Sequence, residues 1–153
     1  MKTLLGALAL APTLTASLLL AATPVVVQAE ARTNIIASEF GVFEGADFRP
    51  SRTVSLAKKQ GYGWMMVVDT PKAEVRYREE FILPASATWK GAPGQGVTVS
   101  ADGRSAVSER VVRHDDGMIF NTWSVAEGDP KGRYMIKVLL EGQVEKTFVF
   151  DVE

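Results

Sequence analysis

The chain has 153 residues, with 17 Lys and Arg against 18 Asp and Glu, a single histidine and no cysteine. Near-neutral charge with scattered basic residues argues against a nucleic-acid binder, which needs a concentrated basic surface to neutralise phosphates. The missing cysteine excludes disulfides, thiol chemistry and thiolate metal sites, so the fold has to be held by packing alone.

Residues 1–29 carry the marks of an export signal: Lys2 at the start, an uncharged apolar run, then Val27-Gln28-Ala29 as small residues ahead of a cut. A retained anchor also needs about 20 apolar residues. Pro24, the small residues at Val27 and Ala29 and the polar turn at Glu30-Ala31-Arg32 favour cleavage after Ala29. No twin-arginine pair and no lipid-accepting cysteine is present, so the expected route is Sec-type. The expected product is one domain, residues 30–153, periplasmic or secreted and not inserted in the membrane. Losing Lys2 leaves it one short of the chain's 17 basic residues, a formal charge of about −2.

From there the apolar residues alternate with period two over short runs broken by Gly, Pro and Asp, which is the pattern of strands and turns. Ile35 to Phe43 predicts a first strand, followed by a loop from Glu44 to Arg52 and a short strand from Thr53. Trp64-Met65-Met66-Val67-Val68, stopped by Asp69-Thr70-Pro71, reads as a buried central strand. Glu74 to Arg78 alternates with Val75 and Tyr77 inward. The next apolar run, Phe81-Ile82-Leu83, is reached through Glu79-Glu80, where a shift of parity predicts a bulge. Ala85 to Gly96, containing Trp89, reads as a long loop. Asp102-Gly103 marks a hairpin between Gly96–Ser100 and Ser105–Arg113, and His114-Asp115-Asp116-Gly117 marks a second turn before Met118 to Val125. The final hairpin joins Arg133–Leu140 to Val144–Val152 through Glu141-Gly142, with Lys146 interrupting an otherwise apolar face. The count is about seven to nine short strands, spaced as in a two-sheet antiparallel sandwich.

The polar turn Glu127-Gly128-Asp129-Pro130-Lys131-Gly132 ahead of a strand, and the closing run Phe148-Val149-Phe150, resemble the last strands of immunoglobulin-like and fibronectin-like bacterial domains. Phe40-Gly41-Val42 and Gly61-Tyr62-Gly63-Trp64 add a likeness to uncharacterised exported bacterial proteins of that build. The resemblance implies an all-β, immunoglobulin-like two-sheet sandwich and carries no catalytic residues with it.

Candidate sites are few. His114-Asp115-Asp116 alone sets an imidazole beside carboxylates, the ingredients of a metal or acid/base site, yet Asp-Asp-Gly is also ordinary turn chemistry. With one histidine a zinc site would rest on carboxylates, so no metal or cofactor is expected. Glu79 or Glu80 with Asp115, Asp116 or Asp129 could form a glycosidase pair. The plainer expectation places both glutamates on a solvated face opposite Arg76 and Arg78. Trp64 and Trp123 lie in apolar strand patterns and read as core. Trp89 in the loop either binds a ligand with its ring or plugs one end of the sandwich. Ser105 and Ser108 lack a nucleophile elbow, Gly91-Ala92-Pro93-Gly94-Gln95-Gly96 lacks the Lys-Ser/Thr of a phosphate loop, and Lys58-Lys59 is too short to define a partner surface.

The expected function is therefore a non-enzymatic binding or interaction module that offers loops or an edge strand to an envelope protein or polysaccharide. Trp89, His114, Asp115 and Asp116 are its candidate binding residues and none is catalytic. A small envelope polysaccharide hydrolase using paired carboxylates is the alternative, self-association a third possibility, and the oligomeric state stays open.

Overall fold

The computed structural model describes residues 32–58, 60–89 and 96–153. The expected leader and the glycine-rich centre of the loop after Trp89 lie outside them. Ten strands follow in chain order: β1 (Asn34–Glu44), β2 (Asp47–Pro50), β3 (Thr53–Val54), β4 (Gly61–Asp69), β5 (Glu74–Ile82), β6 (Val97–Val99), β7 (Ser105–Arg113), β8 (Met118–Ser124), β9 (Gly132–Leu140) and β10 (Val144–Val152). They form a four-stranded sheet ordered β2-β1-β4-β8 and a six-stranded sheet ordered β3-β10-β9-β5-β7-β6. All pairs are antiparallel except the two-residue contact of β3 with β10.

The inward positions of the two sheets meet as one aromatic-rich core. Phe40 of β1, Tyr62 and Trp64 of β4, Tyr77 and Phe81 of β5, Tyr134 of β9 and Phe148 and Phe150 of β10 are all buried. Phe40 stacks on Phe150 at 4.0 Å, and Trp64 meets Tyr77 edge-on at 5.2 Å. Such offset and edge contacts contribute about 0.5–1.5 kcal/mol per pair beyond burial, which suits a domain without cross-links.

Turn chemistry is satisfied locally. In the three-residue loop between Leu140 and Val144, Glu141 and Gly142 both take positive φ, 50° and 69°, and the Gln143 N–H closes the turn on Leu140 O at 2.9 Å. Glu141 is held in this unusual conformation because its carboxylate accepts the Arg76 N–H at 2.7 Å and pairs with Lys72. Those partners hold its carboxyl below the usual range.

Three local expectations are corrected. The segment read as a loop from Glu44 to Arg52 contains β2, since Asp47–Pro50 folds back on Gly41–Glu44 of β1. The predicted bulge at Glu79-Glu80 is absent: β5 pairs with β7 without a break from Glu74↔Arg113 to Ile82↔Ser105. Parity is kept because Glu79 takes an inward place between Tyr77 and Phe81, which also overturns its expected solvated position. Glu80 does face away from the core, opposite Val107 and Lys137. The register shift falls in β1 instead, between Ile35 and Ala37, and leaves Ile36 65% exposed.

Candidate functional site

Sheet edges expose unpaired backbone groups, and this domain treats them unequally. β3 has two residues, β6 three, and β2 four, among them Asp47, Arg49 and Pro50. Shortness, charge and proline are the usual protections of an edge. β8 has seven residues, Met118-Ile119-Phe120-Asn121-Thr122-Trp123-Ser124, without a charge or a proline, and among the described residues β4 is its one neighbouring strand, with Met118 also bridged to Asp115 of the preceding turn. On its outer face Phe120 is 57% exposed and lies opposite Met65, while Met118 lies opposite the exposed Val67. Apolar side chains thus continue from β4 to the free edge.

The inner face of β8 is anchored across the sandwich by Glu79. Only 1% of this residue is exposed, yet its two oxygens meet three neutral donors from the facing sheet. Trp64 Nε1–H donates to Oε2, Trp123 Nε1–H to Oε1 at 2.8 Å, and Asn121 Nδ2 to both oxygens at 3.2 and 3.0 Å. Two of the three donors belong to β8, so a single carboxyl on β5 fixes the strand's position over the core. Burial raises the Glu79 carboxyl above the usual carboxylate range, an effect the donors and the more distant Arg110 guanidinium partly offset. Burial and then the nearby Glu79 charge push the Tyr77 hydroxyl up to about 12. Ser108, directly across from Glu79 on β7, is buried, and its Oγ has no hydrogen-bond partner among the described residues.

Gly63 controls how closely β4 and β8 approach. A Cβ there would stand 2.0 Å from the Asn121 carbonyl oxygen, a backbone atom that cannot turn aside. Gly63→Ala is expected to push β8 outward, draw Asn121 off Glu79 and cost about 1–3 kcal/mol or more. Urea denaturation measures the loss, and an unchanged midpoint would contradict the close approach.

His114, Asp115 and Asp116 form the turn into β8. Asp115 and Met118 exchange backbone hydrogen bonds of 3.2 and 2.7 Å, and Asp116 and Gly117 take φ of 45° and 82°. His114 Nδ1 accepts the Gly117 N–H at 3.0 Å, so Nε2 carries the proton and donates to Lys72 O at 2.8 Å. Both ring nitrogens are thereby used in lashing the turn to the β4–β5 loop, and the two aspartates lie exposed. Asn121, which marks the Glu79 position, is three residues beyond Met118, about 10 Å along the strand. Glu79 is enclosed, Glu80 points the other way and Asp129 accepts the Ala126 N–H at 2.8 Å in the loop after β8. Glu79 and Asp129 thus lie in different settings, one enclosed in the core and one in a loop. Among the described residues no three His, Asp or Glu side chains gather as metal ligands.

Trp89 folds down over one end of the sandwich. Its Nε1–H donates to Gly103 O at 2.8 Å, and its ring meets Phe81 and Trp123 edge-on at 5.7 and 6.0 Å. Together with Tyr62, Tyr134 and Asp129 these rings enclose a cavity of only about 60 Å³. Trp89→Ala is expected to wet Trp123, shift its emission to the red and cost about 2 kcal/mol, less than for a fully buried ring. Thermal denaturation followed by fluorescence reads both, and an unshifted emission would contradict the plug.

Sequence reasoning missed both main features, the buried Glu79 and the β8 edge. The signal for Glu79 was the row Val75, Tyr77, Glu79, Phe81, which stays in phase only if the glutamate points inward.

The comparisons with known proteins speak to the fold. No curated protein matches the chain. Among solved structures it is similar to an immunoglobulin-like protein from Pseudomonas aeruginosa, at 18% identity and a TM-score of 0.56, covering 82% of this chain and all of that one. At that identity the likeness establishes an immunoglobulin-like β-sandwich, as the resemblance of the C-terminal strands implied, and no activity. The model of the PM0630 beta sandwich domain matches residues 38–153, from β1 to the last residue, and the chain belongs to that family.

Proposed function

We propose that this is an exported, non-enzymatic interaction module that captures an extended segment of a partner along β8. The observation that carries the reading is the contrast between β8 and the other edges: it alone, among the described edges, is long and uncharged. Strand addition takes affinity from main-chain hydrogen bonds and specificity from alternate side chains, so it needs no catalytic constellation. The partner segment that fits is extended and uncharged, with apolar side chains falling beside Met118 and Phe120. Glu79 serves this role by holding β8 in one position before the partner arrives, which reduces the ordering cost of binding. The features from Lys2 to Ala29 support an extracytoplasmic site of action.

The test is amide hydrogen exchange on the domain with and without a capped heptapeptide of alternating threonine and valine. Protection rising along Met118–Ser124 is the expected result. Protection that appears elsewhere, or nowhere, overturns the reading.

A further inference from the structure

On the side of the sandwich away from β8 the sheets part along a groove of about 660 Å³. Its floor is made by Phe40 and Phe148, with ring centroids 6.4 Å apart. Its walls are two strand edges. β2 pairs with β1 only from Gly41 onward, and β3 pairs with β10 only at Asp151 and Val152. The intervening stretches, Ser38–Phe40 and Lys146–Val149, line the groove.

Two cations stand at this opening. Lys146 occupies an inward place in β10, between Val144 and Phe148, and carries a charge into a row that is otherwise apolar. Arg52 arrives from the turn between β2 and β3, where its carbonyl accepts the Asp151 N–H at 2.9 Å. Neither forms an ion pair with any described carboxylate. Glu39 lies on the facing wall, so the charge of the groove is mixed, with two positive groups on the β10 side and one negative group on the β1 side.

We infer that this groove binds an extended peptide bearing one carboxylate side chain among uncharged residues, added as a strand on β10 with the carboxylate between Lys146 and Arg52. The backbone edge supplies donors and acceptors for a strand. The paired cations select an anion by charge-assisted hydrogen bonds, and Glu39 disfavours a segment that is acidic throughout. An inward-pointing charge also guards an edge against pairing with other chains, and that simpler role for Lys146 makes a different prediction.

Three capped heptapeptides of alternating threonine and valine, differing only in a central Glu, Gln or Lys, distinguish the cases when titrated into isotope-labelled domain and followed by amide NMR shifts. The Glu peptide is expected to shift Ser38–Phe40 and Lys146–Val149 and to bind at least about tenfold more tightly there than the Gln peptide. Combining Lys146→Met with Arg52→Gln should remove that preference while leaving the fold intact. Equal affinity of the Glu and Gln peptides at these residues overturns the inference. So does a double variant that self-associates through β10 when the native groove shows no shift. Shifts along Met118–Ser124 report on the β8 reading separately, so either site can fail without the other.

Discussion

Glu79→Ala is expected to destabilise the domain by on the order of 4 kcal/mol, because it strips an acceptor from two indole N–H groups and one amide at once. Trp64 is fully buried, so its indole N–H is left without a partner once the carboxyl is gone, while Trp123 and Asn121 are only partly buried. A cavity adds to the loss. The effect should be largest on β8, which contributes two of the donors. Glu79→Gln is the milder case: it keeps one oxygen but sets an NH2 against groups that all donate, so about 2 kcal/mol is expected.

The two variants also predict a pH dependence. Burial raises the Glu79 carboxyl in the folded state, so the folded protein retains its proton at pH values where the unfolded chain has released it. The stability this group contributes is complete below the unfolded value and is lost as pH rises through the folded one. The wild type should therefore exceed Glu79→Gln by most at low pH, with the difference shrinking upward through that window. Urea midpoints across a pH series measure it, and a difference that grew with pH would reverse the assignment.

The second large effect concerns capture rather than stability. Phe120→Lys combined with Met118→Lys places two charges on the outer face of an edge strand, the means by which sheet proteins ordinarily block strand addition. Both side chains are exposed, so the fold should lose no more than about 0.5 kcal/mol. Binding of the uncharged threonine–valine peptide should fall below detection in the same amide-exchange measurement. Retained protection of β8 would show that the strand edge is not the contact.

Much of the sandwich was legible in the sequence because its signals are local. Asp102-Gly103, Glu141-Gly142 and the Asp-Asp-Gly after His114 determine their turns within four residues, a short continuous apolar run marks β4, and period-two apolar patterning places β9 and β10. β2 was not legible, because it exists through pairing with β1 and has little pattern of its own, whereas the start of β3 at Thr53 was. Glu79 was hidden for a physical reason. A carboxylate is placed inside only when donors await it, and its donors lie 15, 42 and 44 residues away. The uncharged run of β8 was visible, but nothing local says that its second neighbour is missing, since an edge is a property of the whole sheet. Lys146 is the intermediate case: the interruption was plain in the row Val144 to Val152, and the groove it faces appears only once both sheets are assembled.

The account depends on one carboxyl joining the two sheets, and the indole N–H resonances of the three tryptophans test that contact most directly. In a pH titration by NMR, the Trp64 and Trp123 indole signals should move together with a single midpoint above the ordinary carboxylate range, while Trp89, bonded to a backbone carbonyl, stays still. Independent or pH-insensitive signals from Trp64 and Trp123, or a midpoint below that range, would contradict it.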